Sequence, residues 1–157
     1  MGKNFIGLDS DKAANLADAL NDLLSNYQIF YMNVRGYHWN IKGDNFFELH
    51  LKFEELYDDL LLKIDEIAER VLTLGHRPAH AYSTYIEKSE VPERRDVSDG
   101  REAMENIVDS FAKLIGKQRQ LLSLAGDAED EGTVALMSDY ISQQEKTVWM
   151  YRSYLGH

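Results

Sequence analysis

From Asp44 to Leu74 the chain runs without proline and repeats its apolar side chains every three or four positions. That period predicts one long α-helix. Asn45 with Glu48 makes a capping arrangement at its start, and Gly75 followed by Pro78 closes it. The helix divides into three strips. Phe46, Leu49, Phe53, Leu56, Leu60, Ile64, Ile67 and Val71 form a core stripe. Lys52, Glu55, Asp59, Lys63, Glu66 and Arg70 lie roughly opposite His50 and make a solvated face. The third strip mixes Phe47, Tyr57, Leu61, Ala68 and Leu72 with four metal-ligand residue types: His50, Glu54, Asp65 and Glu69.

Those four residues read His-x3-Glu-x10-Asp-x3-Glu, nearly a palindrome about the midpoint of Asp59 and Leu60. At about 100° per residue they fall within an arc of about 100°. A carboxylate on a strip bound for burial is costly unless it is paired or holds a metal. His50 and Glu69 are separated by ~29 Å of helix rise, too far to share an ion. A second copy running antiparallel removes the difficulty. It sets His50 near Glu69 of the partner subunit, and Glu54 near Asp65 of the partner subunit. Phe47 with Leu72, and Asp58 with Leu61, are related by the same axis. The strip therefore reads as a two-fold interface carrying two metal sites.

Three more long segments share the helical period. One runs from about Ser10, capped by Asp9 or by Ser10 itself, to Tyr37, with Gly36 near its end. One runs from Ser98 to Ala125, and one from Thr133 to Leu155. Between Gly75 and Val97 lies a connection of about twenty residues, long enough to carry structure of its own. Tyr82, Tyr85 and Ile86 suggest a short helix there, packed across the others. The expected fold class is all-α: a four-helix bundle of the ferritin-like kind with a short extra helix in the long crossover between helices two and three. The length of 157 residues suits a single domain spanning 1–157.

Composition narrows the function. The chain has no cysteine, which excludes disulfides, thiolate nucleophiles and cysteine-held zinc or iron–sulfur sites. Its net charge of −10 opposes nucleic acid and favours cations. No apolar run approaches the ~20 residues of a membrane span. The start, MGKNFIGLDSD, lacks an apolar signal core, so a cytoplasmic location is expected. No Glu-x-x-His pair occurs, so a di-iron site inside one bundle is not expected. His38, placed just past the first helix beside Trp39, is a further ligand candidate. Taken singly, His50 with Glu54, or Asp65 with Glu69, reads as ordinary helix-surface neighbours. A lone buried histidine reads as a hydrogen-bonded core residue, and His76 and His80 read as surface residues.

Three stretches together carry a resemblance: Tyr37-His38-Trp39-Asn40-Ile41-Lys42-Gly43, then Phe47-x-x-His50-x-x-Phe53-Glu54-x-x-Tyr57, then Asp65-Glu66-Ile67-Ala68-Glu69-Arg70. They resemble the signature of the Dps family, the miniferritins that protect DNA in starved bacteria. The resemblance covers most of the chain, to Glu145-Lys146-x-x-Trp149-Met150. It implies a hollow homododecamer that oxidises Fe(II), with hydrogen peroxide preferred over dioxygen, stores the ferric product and shields the cell from oxidative stress. It implies a two-iron ferroxidase site at each subunit interface. His38, His50 and Glu54 come from one chain there, Asp65 and Glu69 from the other, and Glu69 is the candidate bridge. Imidazole with carboxylate suits Fe(II), and Zn(II) as well. Trp39 and Tyr57 are candidate electron donors beside the site.

Three departures from the family pattern stand out. Glu54 replaces an aspartate common at that ligand position, moving the oxygen by ~1.5 Å. Thr133-Val134-Ala135-Leu136 lacks the pore aspartate of many relatives, which leaves the pore to Asp127, Asp130, Glu131 or Asp139. The lysine-rich N-terminal extension used by some relatives to bind DNA is missing. DNA binding is therefore not expected, and a DNA-condensing shell is the alternative reading.

Overall fold

The computed structural model describes residues 2–157; Met1 lies outside the described residues. It contains five helices: α1 (Ser10–Asn40), α2 (Phe46–Thr73), α3 (Tyr82–Lys88), α4 (Gly100–Asp127) and α5 (Glu131–Tyr154). Strands are absent among the described residues apart from two isolated bridges. Helices α1 and α2 pair as one hairpin and α4 and α5 as another; α1 packs on α4, and α3 lies on α1. This is the expected four-helix bundle, with its short extra helix in the crossover. None of the described helices is long and apolar enough to cross a membrane.

Each long helix starts on an aspartate or beside a left-handed residue. Asp9, Asp99 and Asp130 accept from the backbone N–H three residues on and so cap α1, α4 and α5. Asn45, expected to cap α2 with its side chain, instead adopts φ 63° and makes no such bond. Asparagine tolerates that conformation, and its amide donates to Tyr154 Oη at 3.2 Å. At the far end, Gly75 at φ 91° and the bond from His76 N–H to Val71 C=O close α2 as expected.

Burial of one face per helix supplies the driving force. Tyr27, Phe30, Phe53, Leu60, Ile67, Phe111 and Tyr140 are fully buried. Phe30 meets Phe111 edge to face at 5.1 Å. A closed polar ring sits among them. Tyr27 Oη donates to Gln118, Gln118 Nε2 to Gln144 at 2.8 Å, and Gln144 Nε2 back to Tyr27 at 2.7 Å. Every member is satisfied, which a buried polar group requires. Burial pushes the Tyr27 phenol well above its ordinary range, so it stays a neutral donor.

The α2 face expected to be solvated is so at Lys52, Glu55, Asp59 and Glu66, but not at Lys63 and Arg70. Lys63 is 4% exposed; it donates to Asp59 and, at 2.9 Å, to Gln143 on α5. Tyr140 Oη donates to Glu66 at 2.7 Å. Arg70 pairs with Asp130 at 2.6 Å and donates to Thr133 at 2.9 Å. Long polar side chains thus bridge α2 to α5, and polarity alone did not reveal that a neighbour lay there. Asp130, 2% exposed, is committed to Arg70 and to the start of α5. It is removed from the pore candidates, whereas Asp127, Glu131 and Asp139 remain exposed.

Three asparagines of α1 hold the long crossover in place. Asn21 accepts from Ala79 N and donates to Arg77 O. Asn26 accepts from Glu90 N and Val91 N. Asn33 donates to Pro92 O and accepts from Arg94 N. Within α3, Tyr85 turns inward while Tyr82 and Ile86 stay exposed. Asn26→Ala strands two backbone donors, at a cost of about 1–3 kcal/mol. For a chain of this size that lowers Tm by about 2–12 °C. Hydrogen exchange at Glu90 and Val91 should accelerate selectively, and unchanged protection there would refute the assignment.

Candidate metal centre

The helix expected to end at Tyr37 runs on through Gly36 to Asn40, so His38 lies within α1 rather than past it. Glycine costs about 1 kcal/mol inside a helix, and burial of Tyr37 and His38 outweighs it. Ile41 then leaves in an extended conformation and Gly43, at φ 91°, turns the chain into α2. This short turn sets the last turn of α1 against the first turns of α2.

There, His38 and His50 clasp each other. His38 Nδ1–H donates to the His50 carbonyl at 2.6 Å, and His50 Nδ1–H donates to the His38 carbonyl at 2.7 Å. A carbonyl only accepts, so each Nδ1 carries the hydrogen. In the neutral imidazole this tautomer leaves the lone pair on Nε2, the form in which histidine binds metal. The rings stack at 3.8 Å with an interplanar angle of 11°. Phe46 stacks on His50 at 5.1 Å, and Tyr57 meets His38 edge-on at 5.3 Å. Glu54 brings Oε1 to 3.7 Å from His38 Nε2 and remains half-exposed. Loss of water contact, then the charges of Glu54 and Asp58, raise the Tyr57 phenol above its ordinary value.

Of the five candidate ligands, His38, His50 and Glu54 converge. Asp65 and Glu69 do not join them. They stand one turn apart farther along α2, exposed, and neither carboxylate has a hydrogen bond or ion pair among the described residues. No three His, Asp or Glu side chains of one chain form a metal-holding group among the described residues. Phe47, Leu61 and Leu72 are exposed on the same strip of α2. Arg35, whose guanidinium lies over Trp39 and Tyr57 beside the site, escaped the sequence reading. Its position one turn before His38 was the available signal.

Residues 17–157 match the Ferritin family, described as a ferritin-like domain. A crystal structure of a Dps protein from Vibrio cholerae O1, described as a member of a broad superfamily of ferritin-like diiron-carboxylate proteins, superposes with a TM-score of 0.97. It is 58% identical, with 99% of this chain and 98% of that chain covered. The DNA protection during starvation protein of Porphyromonas gingivalis is 42% identical over 94% of this chain and 93% of its own. A Dps crystal structure from Bacillus brevis matches with TM-score 0.90 and 32% identity, covering 94% of this chain and 99% of that one. The chain belongs to the Dps family of ferritin-like proteins.

Proposed function

We propose that this protein oxidises Fe(II) and stores the ferric product inside a hollow homododecamer, protecting the cell against oxidative stress. Residues 1–157 act as one domain in the cytoplasm. The observation that carries the reading is the histidine clasp, which engages both Nδ1 atoms with backbone carbonyls and sets Nε2 of His38 3.7 Å from Glu54 on the same chain. Family membership supports it, as does the diiron-carboxylate description of the Vibrio cholerae relative. The near two-fold pattern of α2 supplies the other half. The partner subunit's Asp65 and Glu69 complete each site, with Glu69 suited to bridge two ions.

Iron is the substrate here. Two Fe(II) give one electron each to hydrogen peroxide, which takes up two protons and leaves as two waters. Paired delivery avoids release of hydroxyl radical, and peroxide is the oxidant proposed as preferred over dioxygen. The chain's own contribution is placement: His38 and His50 present fixed donors, Glu54 adds an oxygen, and Trp39 and Tyr57 stand by as electron donors. The exposed acids Asp127, Glu131 and Asp139 are the remaining pore candidates. The charge of −10 speaks against DNA condensation.

Mixed shells test the division of labour between chains. His50→Ala/Glu54→Ala chains and Asp65→Ala/Glu69→Ala chains are each expected to be inactive alone. Reassembled together, a mixed pair regains one intact site of its two. Peroxide-driven Fe(II) oxidation should return in proportion to mixed pairs counted by native mass spectrometry. No recovery in confirmed mixed shells would sink the shared site.

A further inference from the structure

Arg35 is a cation held by rings instead of carboxylates. Its guanidinium carbon lies 4.8 Å from the Trp39 ring, 5.2 Å from Tyr57 and 5.6 Å from Tyr31. Nη1 donates to Tyr31 Oη at 3.0 Å. Nε is buried without a hydrogen-bond partner. Among the described residues Arg35 makes no ion pair, in a chain with 27 acidic residues. The rings therefore fix where the charge sits, and they fix it toward the metal centre. Arg35 is 5.2 Å from Tyr57, and Tyr57 is 5.3 Å from His38. The charge thus lies within about 10 Å of the His38 ring, about one Debye length at 0.1 M salt. Tyr57 also stands on the two-fold strip, where the axis sets it level with Leu62 of the partner subunit. The partner subunit's Asp65 follows one turn on.

We propose that Arg35 is the resident counter-charge of the two-chain site: it balances the gathered carboxylates while no iron is present, and it opposes Fe(II) when iron arrives. This rests on the shared-site reading above. Glu54 with the partner subunit's Asp65 and Glu69 brings three negative charges into one interface. Like charges that close resist assembly, and a guanidinium, always protonated, relieves them. The same fixed charge repels an entering divalent ion. Removing it therefore has two opposite effects: metal-free pairing weakens and Fe(II) binding strengthens. A residue that merely packs would weaken both.

The test compares wild type, Arg35→Gln and Arg35→Lys. Anaerobic calorimetric Fe(II) titration reads affinity, and analytical ultracentrifugation of metal-free protein reads assembly. Arg35→Gln is expected to bind Fe(II) about tenfold more tightly, the size of a unit charge acting on a divalent ion across about 10 Å. Its metal-free shells should dissociate at about tenfold higher protein concentration. Arg35→Lys, which keeps the charge, should stay within about threefold of wild type in both. If Arg35→Gln does not assemble without metal, added Zn(II) should restore the shell; failure of Zn(II) to do so overturns the proposal. Fe(II) affinity in Arg35→Gln equal to or below wild type also overturns it, as does a Lys variant that behaves like the Gln variant. Absence of stoichiometric Fe(II) binding by wild type would instead refute the ferroxidase reading.

Discussion

In Asp65→Ala/Glu69→Ala, peroxide-driven Fe(II) oxidation should fall by on the order of a hundredfold or more, with shell size unchanged. Loss of residues that merely support metal ligands costs 10- to 100-fold, and these two are proposed as ligands themselves. Both are exposed on α2 and neither bonds another side chain among the described residues, so the fold has little stake in them. Stopped-flow absorbance of the ferric product gives the rate, and light scattering gives the size. Equal rates in variant and wild type would end the ferroxidase assignment. Disassembly of the variant would move the two carboxylates from the chemistry to the interface.

The second large effect concerns stability. Arg70→Met should lower Tm by about 6–12 °C. It leaves Asp130, 2% exposed, without its cation. Breaking a buried pair by removing one partner costs about 3–5 kcal/mol. The lower end applies because the Arg70 side chain is 19% exposed and Asp130 keeps bonds from Thr133. At about 2–4 °C per kcal/mol for this chain length, the shift is readily measured. Asp130→Asn in the same background should recover part of the loss, since it removes the orphaned charge. A Tm change below 2 °C would show that α2 and α5 are joined by packing alone.

The same pair shows where the sequence stopped being legible. The periods of the four long helices, the core stripe of α2 and the Gly75 stop followed from local rules, and the structure agrees within about two residues at most ends. The placement of His50, Glu54, Asp65 and Glu69 along α2 was legible because residue types and spacing are properties of one helix; their role as ligands is the proposal above. Lys63 and Arg70 were misplaced, and the bond from Tyr140 to the exposed Glu66 was missed, because their setting is a property of two. A helix wheel separates polar from apolar, yet it does not tell a polar side chain facing water from one spanning to a neighbour. His38 was set outside α1 because Gly36 was weighted as a stop, whereas burial two residues later carried the helix on. Asn21, Asn26 and Asn33 passed unremarked for a similar reason. An asparagine inside a helix is locally almost neutral, and its value here lies in backbone that comes more than fifty residues later in the chain. Asn45 failed as a cap because a side chain able to cap is also able to adopt a left-handed backbone, and the tight Gly43 turn required the latter.

The clasp between His38 and His50 makes the two halves of the proposed centre unequal in kind. Each histidine is a rivet between α1 and α2 as well as a donor, so its replacement disturbs the register of two helices before any metal is considered. Asp65 and Glu69 have no such second duty. Under relaxed demand for iron chemistry, stability alone would retain the imidazoles, while the carboxylates would be free to drift. A descendant of this chain that kept both histidines and lost both acids would be a fossil of the centre, folded like its ancestor and chemically silent. The acids, not the histidines, are therefore the residues whose presence carries information about activity.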